Sequence, residues 1–372
     1  MSRAYKSYLL IFILVLISIL FISKAFYNAV FLEIHSSKDF LIILKLSEIF
    51  LDKIDVFKYY FEENNEYAPM WSHLCYLLFS PITKLPIQTA KIFWFFCNLV
   101  FFFLTIILIK KNYKLTFYET AFLSFISITS TPFTNTLGNG QLGLFFLFIL
   151  TIYWYSNYKY KKFILTFFSL KISFGFFFVL NSFLKKEADF FIFILFNILA
   201  ILIYSLNVNE LNVKQFINPI LVITHYSENY SMDGIVGLRE IFQFFNINGY
   251  YFIFLSVSIC FISIFFFRNK KNNELFLTII VLTLFLFYHR IYDFVLLIPM
   301  IAYAIKEKNN FLAKYFIFIT VIYFFYFIKI NDLFLNNFFN QEFINFMGSV
   351  LLMLSLIFIN FNFKKYKNFE VT

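Results

Sequence analysis

Charge is scarce in this chain. Of 372 residues only 14% are charged, 61% are hydrophobic, and the mean hydropathy is +0.77. That balance lies well outside the range of soluble domains, and no stretch is both long and polar enough to fold as one. Cysteine is nearly absent. Cys75, Cys97 and Cys260 are odd in number and widely spaced, a pattern that suggests no disulfide framework and matches no metal-binding spacing. The two halves show no internal repeat, and Lys171 alone stands as a charge deep within an apolar run.

Aromatic residues are abundant instead: 63 Phe and 25 Tyr accompany many Ile, Lys and Asn. These residue types share A/T-rich codons, so the excess reads as genome composition acting through lipid-compatible positions. Aromatic stripes here are lipid-facing or packing surface rather than cofactor boxes. Runs of about 17–25 apolar residues recur along the chain, the length that crosses a hydrocarbon core. Within lipid such runs must be helical, because no water satisfies the backbone. The expected fold is all-α: one integral membrane domain over residues 1–372, a polytopic transmembrane helical bundle.

Positive charge orients it. Arg3 and Lys6 precede the apolar run Tyr8–Ile22, read as a retained signal-anchor helix with a cytoplasmic N-terminus rather than as a cleaved signal peptide. Further spans are expected at Thr89–Ile109, Thr116–Thr134, Gln141–Ser156, Phe190–Leu206, Tyr250–Phe267, Leu275–Tyr288, Phe294–Ile305, Tyr315–Ile328 and Phe346–Phe361. Compact basic clusters lie between them, as at Lys110, Lys111 and Lys114 or Arg268, Lys270 and Lys271, and the positive-inside rule draws them all to the cytoplasm. This accounts for the net charge of +10 without a nucleic-acid partner. Residues 163–184 carry a basic cluster at each end, and a single span would strand one of them outside. A re-entrant hairpin restores the parity, with Lys171, Ser173 and Gly175 in its turn. About ten full spans result, with both termini inside.

Polar chemistry then gathers on the other face. Residues 31–86 form a first outer segment, 207–249 a second, and 135–140, 289–293 and 331–342 short ones; His35, His73, His225 and His289 all fall in or beside them. Asp39–Asp52 is too charged to span and too apolar to be solvated. Lys45, Glu48 and Asp52 recur at helical spacing, so this segment is expected as a helix in the interface plane. Ser231–Asn246 reads similarly, with Ile235, Leu238, Ile241 and Phe245 on one face. The piece Met70–Pro86 is broken by Pro81 and Pro86 and is expected to embed without crossing.

Four features in order resemble the GT-C superfamily of membrane glycosyltransferases, and most closely glycosyltransferase family 87, the alpha-mannosyltransferase-like group. They are Lys38-Asp39-Phe40 after the first span, and Tyr67-Ala68-Pro69-Met70 leading to Pro81 and Leu85-Pro86. Gly138-Asn139-Gly140-Gln141 follows, with Lys171 about thirty residues later; Asn229-Tyr230-Ser231 and His289-Arg290-Ile291-Tyr292-Asp293 complete the set. The chain departs from the family pattern at Met70, at Leu142 and Gly143, and at Ile172.

The resemblance implies a GT-C-like bundle with outer interfacial helices in the plasma (inner) membrane of the cell envelope, its active site extracytoplasmic. The implied activity is transfer of a mannose-like hexose from a polyprenyl-phosphate sugar to a hydroxyl of a glycolipid or glycan acceptor. The lipid-linked donor is a substrate; no cofactor, metal or nucleic acid is expected, and membrane lipids are the surroundings. Such a displacement needs a carboxylate to take the hydroxyl proton and cationic or N–H groups to hold the phosphate charge. Asp39 is the candidate general base, a role compatible with capping a helix and with its dipole. Asp55, Glu62, Glu63 and Glu66 read as a solvated face. His289, Arg290 and Lys171 are candidates for the donor phosphate and leaving group. Arginine costs about 2.5–3.5 kcal/mol at a bilayer centre, although a span-end arginine can also snorkel to water. Tyr67, Asn139, Gln141, Asn229, Ser231 and Asp293 are candidates for sugar and acceptor binding, and as polar residues at span mouths they also suit helix capping.

Three other readings are compatible with an outer polar face. A lipid-linked saccharide flippase or transporter calls for helix breaks, mid-bilayer charges and a repeat. A polysaccharide polymerase or ligase usually carries a large late outer loop, whereas the large ones here are early and central. A non-catalytic scaffold subunit would leave the outer acids and bases unrelated.

Overall fold

The structure, a computed structural model, describes residues 3–32, 37–62, 67–156, 161–185, 188–210, 212–222, 237–246, 255, 258–259, 272–287, 289–307, 311–330 and 340–360. Every regular element among them is helical. In chain order they are α1 (Arg3–Val30), α2 (Lys38–Leu51), α3 (Val56–Glu62), α4 (His73–Phe79), α5 (Ile87–Tyr113), α6 (Phe117–Thr129), α7 (Thr131–Asn139) and α8 (Gly143–Tyr155). Next come α9 (Lys161–Ile164), α10 (Ile172–Leu184), α11 (Ala188–Asn207), α12 (Leu238–Phe244), α13 (Asn272–Leu286), α14 (Ile298–Lys306), α15 (Phe311–Ile322) and α16 (Gln341–Asn360). Tight 3-10 turns cover Leu165–Lys171 and Ile291–Leu297, and a π-helical stretch covers Tyr323–Phe327.

Five helices are long and apolar enough to cross a bilayer: Tyr8–Val30, Ile87–Tyr113, Ala188–Asn207, Phe311–Ile330 and Glu342–Asn360. Each coincides with an expected span. At 27 residues α5 reaches about 40 Å at the α-helical rise. Two of the five wear their apolar side chains outward, as Phe12, Leu16 and Leu20 do on α1 and Phe191, Leu195, Ile203 and Leu206 on α11. A continuous sheath of that kind is tolerated by lipid and not by water. The protein is a multi-pass helical membrane protein.

Among the described residues, the other expected spans are shorter than a bilayer requires. Thr116–Thr134 is divided at Ser130, which leaves the helical region at ψ 148° and accepts a hydrogen bond from Phe133 N (3.3 Å). Pro132, in the first turn of α7, explains the break: proline fits a helix start, whereas inside a continuous helix it has no N–H to donate and its ring meets the carbonyl four residues earlier. Between α7 and α8 the chain bends by 112°, and the pair makes a sixth crossing only if it is one broken span. Leu275–Tyr288 corresponds to the 15-residue α13, and Phe294–Ile305 is split between a 3-10 turn and α14, with Pro299 at the junction. Tyr250–Phe267 lies largely outside the described residues.

The fold divides into two compact units, residues 26–100 with 137–233, and residues 1–25, 101–136 and 234–372. In the first, α2 buries Phe40, Ile43, Leu44, Leu46, Ile49 and Phe50 and exposes Lys45 and Glu48, which pair at 3.4 Å. It is the amphipathic helix that its spacing predicts. The segment 163–184 doubles back on itself: Phe168 packs against Gly175, where a Cβ would stand 2.3 Å from Phe168 Cβ and 2.6 Å from its carbonyl oxygen. Only glycine allows that approach.

In the second unit, α6 starts with a capping box in which Thr116 Oγ1 accepts from Glu119 N and Glu119 Oε2 from Thr116 N. Phe294 stacks on Phe324 at 3.9 Å and Phe316 on Phe358 at 4.4 Å. Tyr323 donates to the Ile344 carbonyl at 2.6 Å, and Thr320 bonds Ser355 at 2.8 Å. The α12 helix corrects the expected apolar face of Ser231–Asn246. Leu238 is buried as expected, but Glu240 is buried beside it and Phe245 is 57% exposed. The neighbour decides this, because Phe244 stacks on Phe346 of α16 at 4.3 Å and sets the rotation of the helix.

Candidate functional site

Two segments that lie a hundred residues apart in sequence meet in the first unit. Ser37 precedes α2 in the left-handed region (φ 50°); its N–H donates to Gly138 O (2.8 Å) and its hydroxyl to Ala29 O (3.0 Å). Ser37 thus ties the head of α2 to the end of α1 and to the 138–141 turn. Gly140 has φ +65°, and a Cβ there would lie 2.6 Å from Phe40 Cβ. Phe40 is fully buried and stacks on Trp94 (5.5 Å, 3°), whose indole N–H donates to Gly140 O at 2.8 Å. On this frame Gln141 Nε2 donates to Asp39 Oδ2. Asp39 lies in the first turn of α2 and is half-buried, while Gln141 is buried.

The chemistry of the pair follows from these placements. A helix start favours negative charge by about 0.3–1 kcal/mol, and a hydrogen bond to a charged group adds about 1.5–3 kcal/mol. The carboxylate is held in one orientation at the boundary of a packed core, as a proton acceptor must be.

The other expected site residues stand as follows. Asn139, half-buried, belongs to the same turn as Gln141. Lys171 ends the 3-10 turn at the head of α10, half-buried, with Nζ 4.3 Å above the Phe174 ring. Tyr67 is 39% exposed. Asn229 and Ser231 lie outside the described residues.

In the second unit, His289 and Asp293 are buried at 0% and 1% exposure. His289 Nδ1 faces Asp293 Oδ2 at 3.1 Å, and Nε2 faces the Thr283 carbonyl at 3.0 Å. Both ring nitrogens are engaged, so His289 braces Asp293 rather than opening onto a ligand. Asp293 Oδ2 also accepts from Arg290 N (3.1 Å), which caps the turn Ile291–Leu297 and fixes the backbone from which Arg290 projects, half-buried.

Asp55 overturns the reading of a solvated acidic face. It is 5% exposed and accepts from Phe57 N (2.9 Å), Tyr204 Oη (3.1 Å) and Gln215 Nε2 (2.5 Å). Gln215 Oε1 in turn meets His73 Nε2 at 3.0 Å. Burial lowers the pKa of His73 to about 4 against the opposing pull of Gln215 and Asp55, so the ring is neutral at physiological pH. Sequence carried one local signal, the Asp-x-Phe arrangement of an Asx turn; Tyr204 and Gln215 are separated from Asp55 by 149 and 160 residues. Among the described residues, no three His, Cys, Asp or Glu side chains gather as metal ligands would.

Fold and frame together define the class: a multi-span helical membrane protein with a braced, half-exposed carboxylate at the head of an amphipathic helix. Comparison of the chain with protein-family models, curated proteins and solved structures returns no match.

Proposed function

We propose that the protein is a membrane glycosyltransferase of GT-C type. It moves a mannose-like hexose from a polyprenyl-phosphate donor to a hydroxyl of a glycolipid or glycan at the extracytoplasmic face of the plasma membrane. The observation that carries this reading is the hydrogen bond from Gln141 to Asp39, which joins two motifs of the resemblance, Lys38–Phe40 and Gly138–Gln141, in one packed junction. In the proposed reaction Asp39 accepts the acceptor's hydroxyl proton as its oxygen bonds the anomeric carbon. The bond from that carbon to the phosphate oxygen breaks, and polyprenyl phosphate leaves with the electron pair. Gln141 orients the carboxylate, Asn139 offers an amide to the sugar, and Lys171 is the cation of the same unit assigned to phosphate. Arg290, braced through His289 and Asp293, carries its phosphate role as a separate proposal. The finer topology belongs to the same proposal: about ten spans, an outer interfacial α2, and a re-entrant 163–184.

The 112° break between α7 and α8 favours a second reading. Discontinuous helices bind substrate in transporters, so a lipid-linked saccharide flippase is the rival. Purified protein in liposomes, given radiolabelled polyprenyl-phosphate hexoses and a glycolipid acceptor, separates the two. The proposal expects label in the acceptor. Movement of intact donor across the bilayer with no label transferred would establish the rival.

A further inference from the structure

A cavity of about 300 Å³ lies beside the buried Asp55 network, entirely within the first unit, with His73 and Ser72 in its wall. Asp55 determines the hydrogen-bonding state of that wall. Gln215 donates its NH₂ to Asp55 Oδ2 and turns its carbonyl oxygen, which only accepts, to His73. His73 Nε2 must then carry the ring proton, which leaves Nδ1 as an acceptor. Among the described residues Nδ1 has no hydrogen bond, although His73 is 2% exposed. The hydroxyl of the adjacent Ser72 is buried and likewise has no partner. An unpaired polar group at this depth costs about 1–3 kcal/mol, and the Ser72 hydroxyl, beside the open acceptor of His73 in the cavity wall, points to a missing hydrogen-bonding ligand.

The rest of the lining narrows its chemistry. No lysine, arginine, aspartate or glutamate contributes, so nothing there compensates an ionic charge. Ser169 donates its hydroxyl proton to the Thr166 carbonyl (2.8 Å) and Asn197 one amide hydrogen to Phe193 O (2.8 Å), so each of these lining residues keeps acceptor capacity on its oxygen. Phe168, Phe176, Phe193 and Phe216 supply aromatic surface, whose faces carry partial negative charge and attract C–H edges. The volume falls at the small end of ligand sites, a match for one ring rather than a chain of them.

We propose that this cavity binds a neutral, ring-sized polyol, a pyranose unit, through a hydroxyl that donates to His73 Nδ1. The weakly basic ring acts as an acceptor and not as a general base, so the site holds its ligand without reacting with it. Ser72 is the second contact, and Asp55 and Gln215 are positioning residues that fix the tautomer. The inference does not depend on the transferase reading, because binding is measured without any lipid-linked donor.

The test uses the full chain in nanodiscs with ¹⁵N-labelled histidine, titrated with methyl α-D-mannopyranoside and, separately, with mannose 6-phosphate. The expected result is a His73 Nδ1 resonance in the unprotonated range that shifts saturably with the neutral glycoside. The phosphorylated sugar should bind at least about tenfold more weakly. His73→Phe should lower glycoside affinity by about tenfold or more, the factor that loss of a buried hydrogen bond brings. Ala200→Leu, which narrows the cavity and leaves His73 in place, should do the same. A protonated Nδ1, no saturable shift up to about 10 mM glycoside, equal binding of the anionic sugar, or unchanged affinity in either folded variant overturns the proposal. The wild-type spectra and Ala200→Leu decide the matter even if His73→Phe does not fold.

Discussion

Gly140 holds the Asp39 junction together, and its replacement has a cost that divides into two parts. Alanine at φ +65° takes the left-handed penalty of about 1–2 kcal/mol. Its Cβ also enters a space 2.6 Å from Phe40 Cβ and 3.3 Å from Ser37 Cβ. Phe40 cannot yield easily, being fully buried against Trp94 and Phe79, and overpacking of this kind costs about 1–3 kcal/mol. Gly140→Ala should therefore destabilise by about 2–5 kcal/mol, a large share of the 5–15 kcal/mol that typically holds a fold together. Gly140→Asn separates the parts, because asparagine tolerates positive φ yet carries the same Cβ, and it should cost about 1–3 kcal/mol. Thermal or denaturant unfolding in bicelles, followed by tryptophan emission with Trp71 and Trp154 replaced by Phe so that Trp94 reports alone, measures both variants. A Gly140→Ala protein as stable as wild type would refute the packing argument. Equal costs for Ala and Asn would remove the backbone term and leave the contact.

Other perturbations read different parts of the molecule. Gly175→Ala meets a harder obstacle, since backbone atoms of Phe168 lie within 3.0 Å of its Cβ; the protein should lose stability by about 3 kcal/mol or more, and a stable variant would contradict the fold-back at 163–184. The pKa of Glu240 is raised, first by burial, then opposed by Asn345 and Arg239. Its folded form binds the proton more tightly than the unfolded chain, so its contribution to stability is present below the unfolded value of 4.5 and is lost as pH rises through the higher folded value. Glu240→Gln should accordingly raise the melting temperature at pH 7 and leave it nearly unchanged at pH 4; a variant less stable at pH 7 would show the carboxylate to be favourably paired. Lys185→Cys, made without Cys75, Cys97 and Cys260, should resist an impermeant maleimide added to intact cells. Labelling from outside would turn residues 163–184 into a full span and reverse the sidedness of everything after it.

What the sequence disclosed follows the reach of each physical effect. Hydropathy acts residue by residue along one helix, so α1, α5, α11 and the long helices at 311–330 and 342–360 were all legible. The polar stripe of α2 was legible for the same reason, since Lys45 and Glu48 are one turn apart. Breaks were harder. Ser130 and Pro132 form a local start signal that an average over apolar residues passes over, and nothing local marks Gly140 as left-handed rather than helical. Burial of polar residues was least legible. Asp55 looks solvated beside Lys58 and Glu62, yet its partners Tyr204 and Gln215 arrive from other helices. His289 could be named from its motif, but the Thr283 carbonyl that occupies its second nitrogen was not evident until α13 was placed.

The central claim concerns the carboxylate at the head of α2, and one comparison tests it most directly: turnover of a reconstituted enzyme with polyprenyl-phosphate hexose and acceptor, for wild type and Asp39→Asn. The substitution keeps the size of the side chain and a partner for Gln141 but removes the group that takes the proton. The account predicts that transfer falls by about 10²–10⁴-fold while the protein remains folded and retains the donor. Transfer that continues undiminished with asparagine at 39 would contradict it.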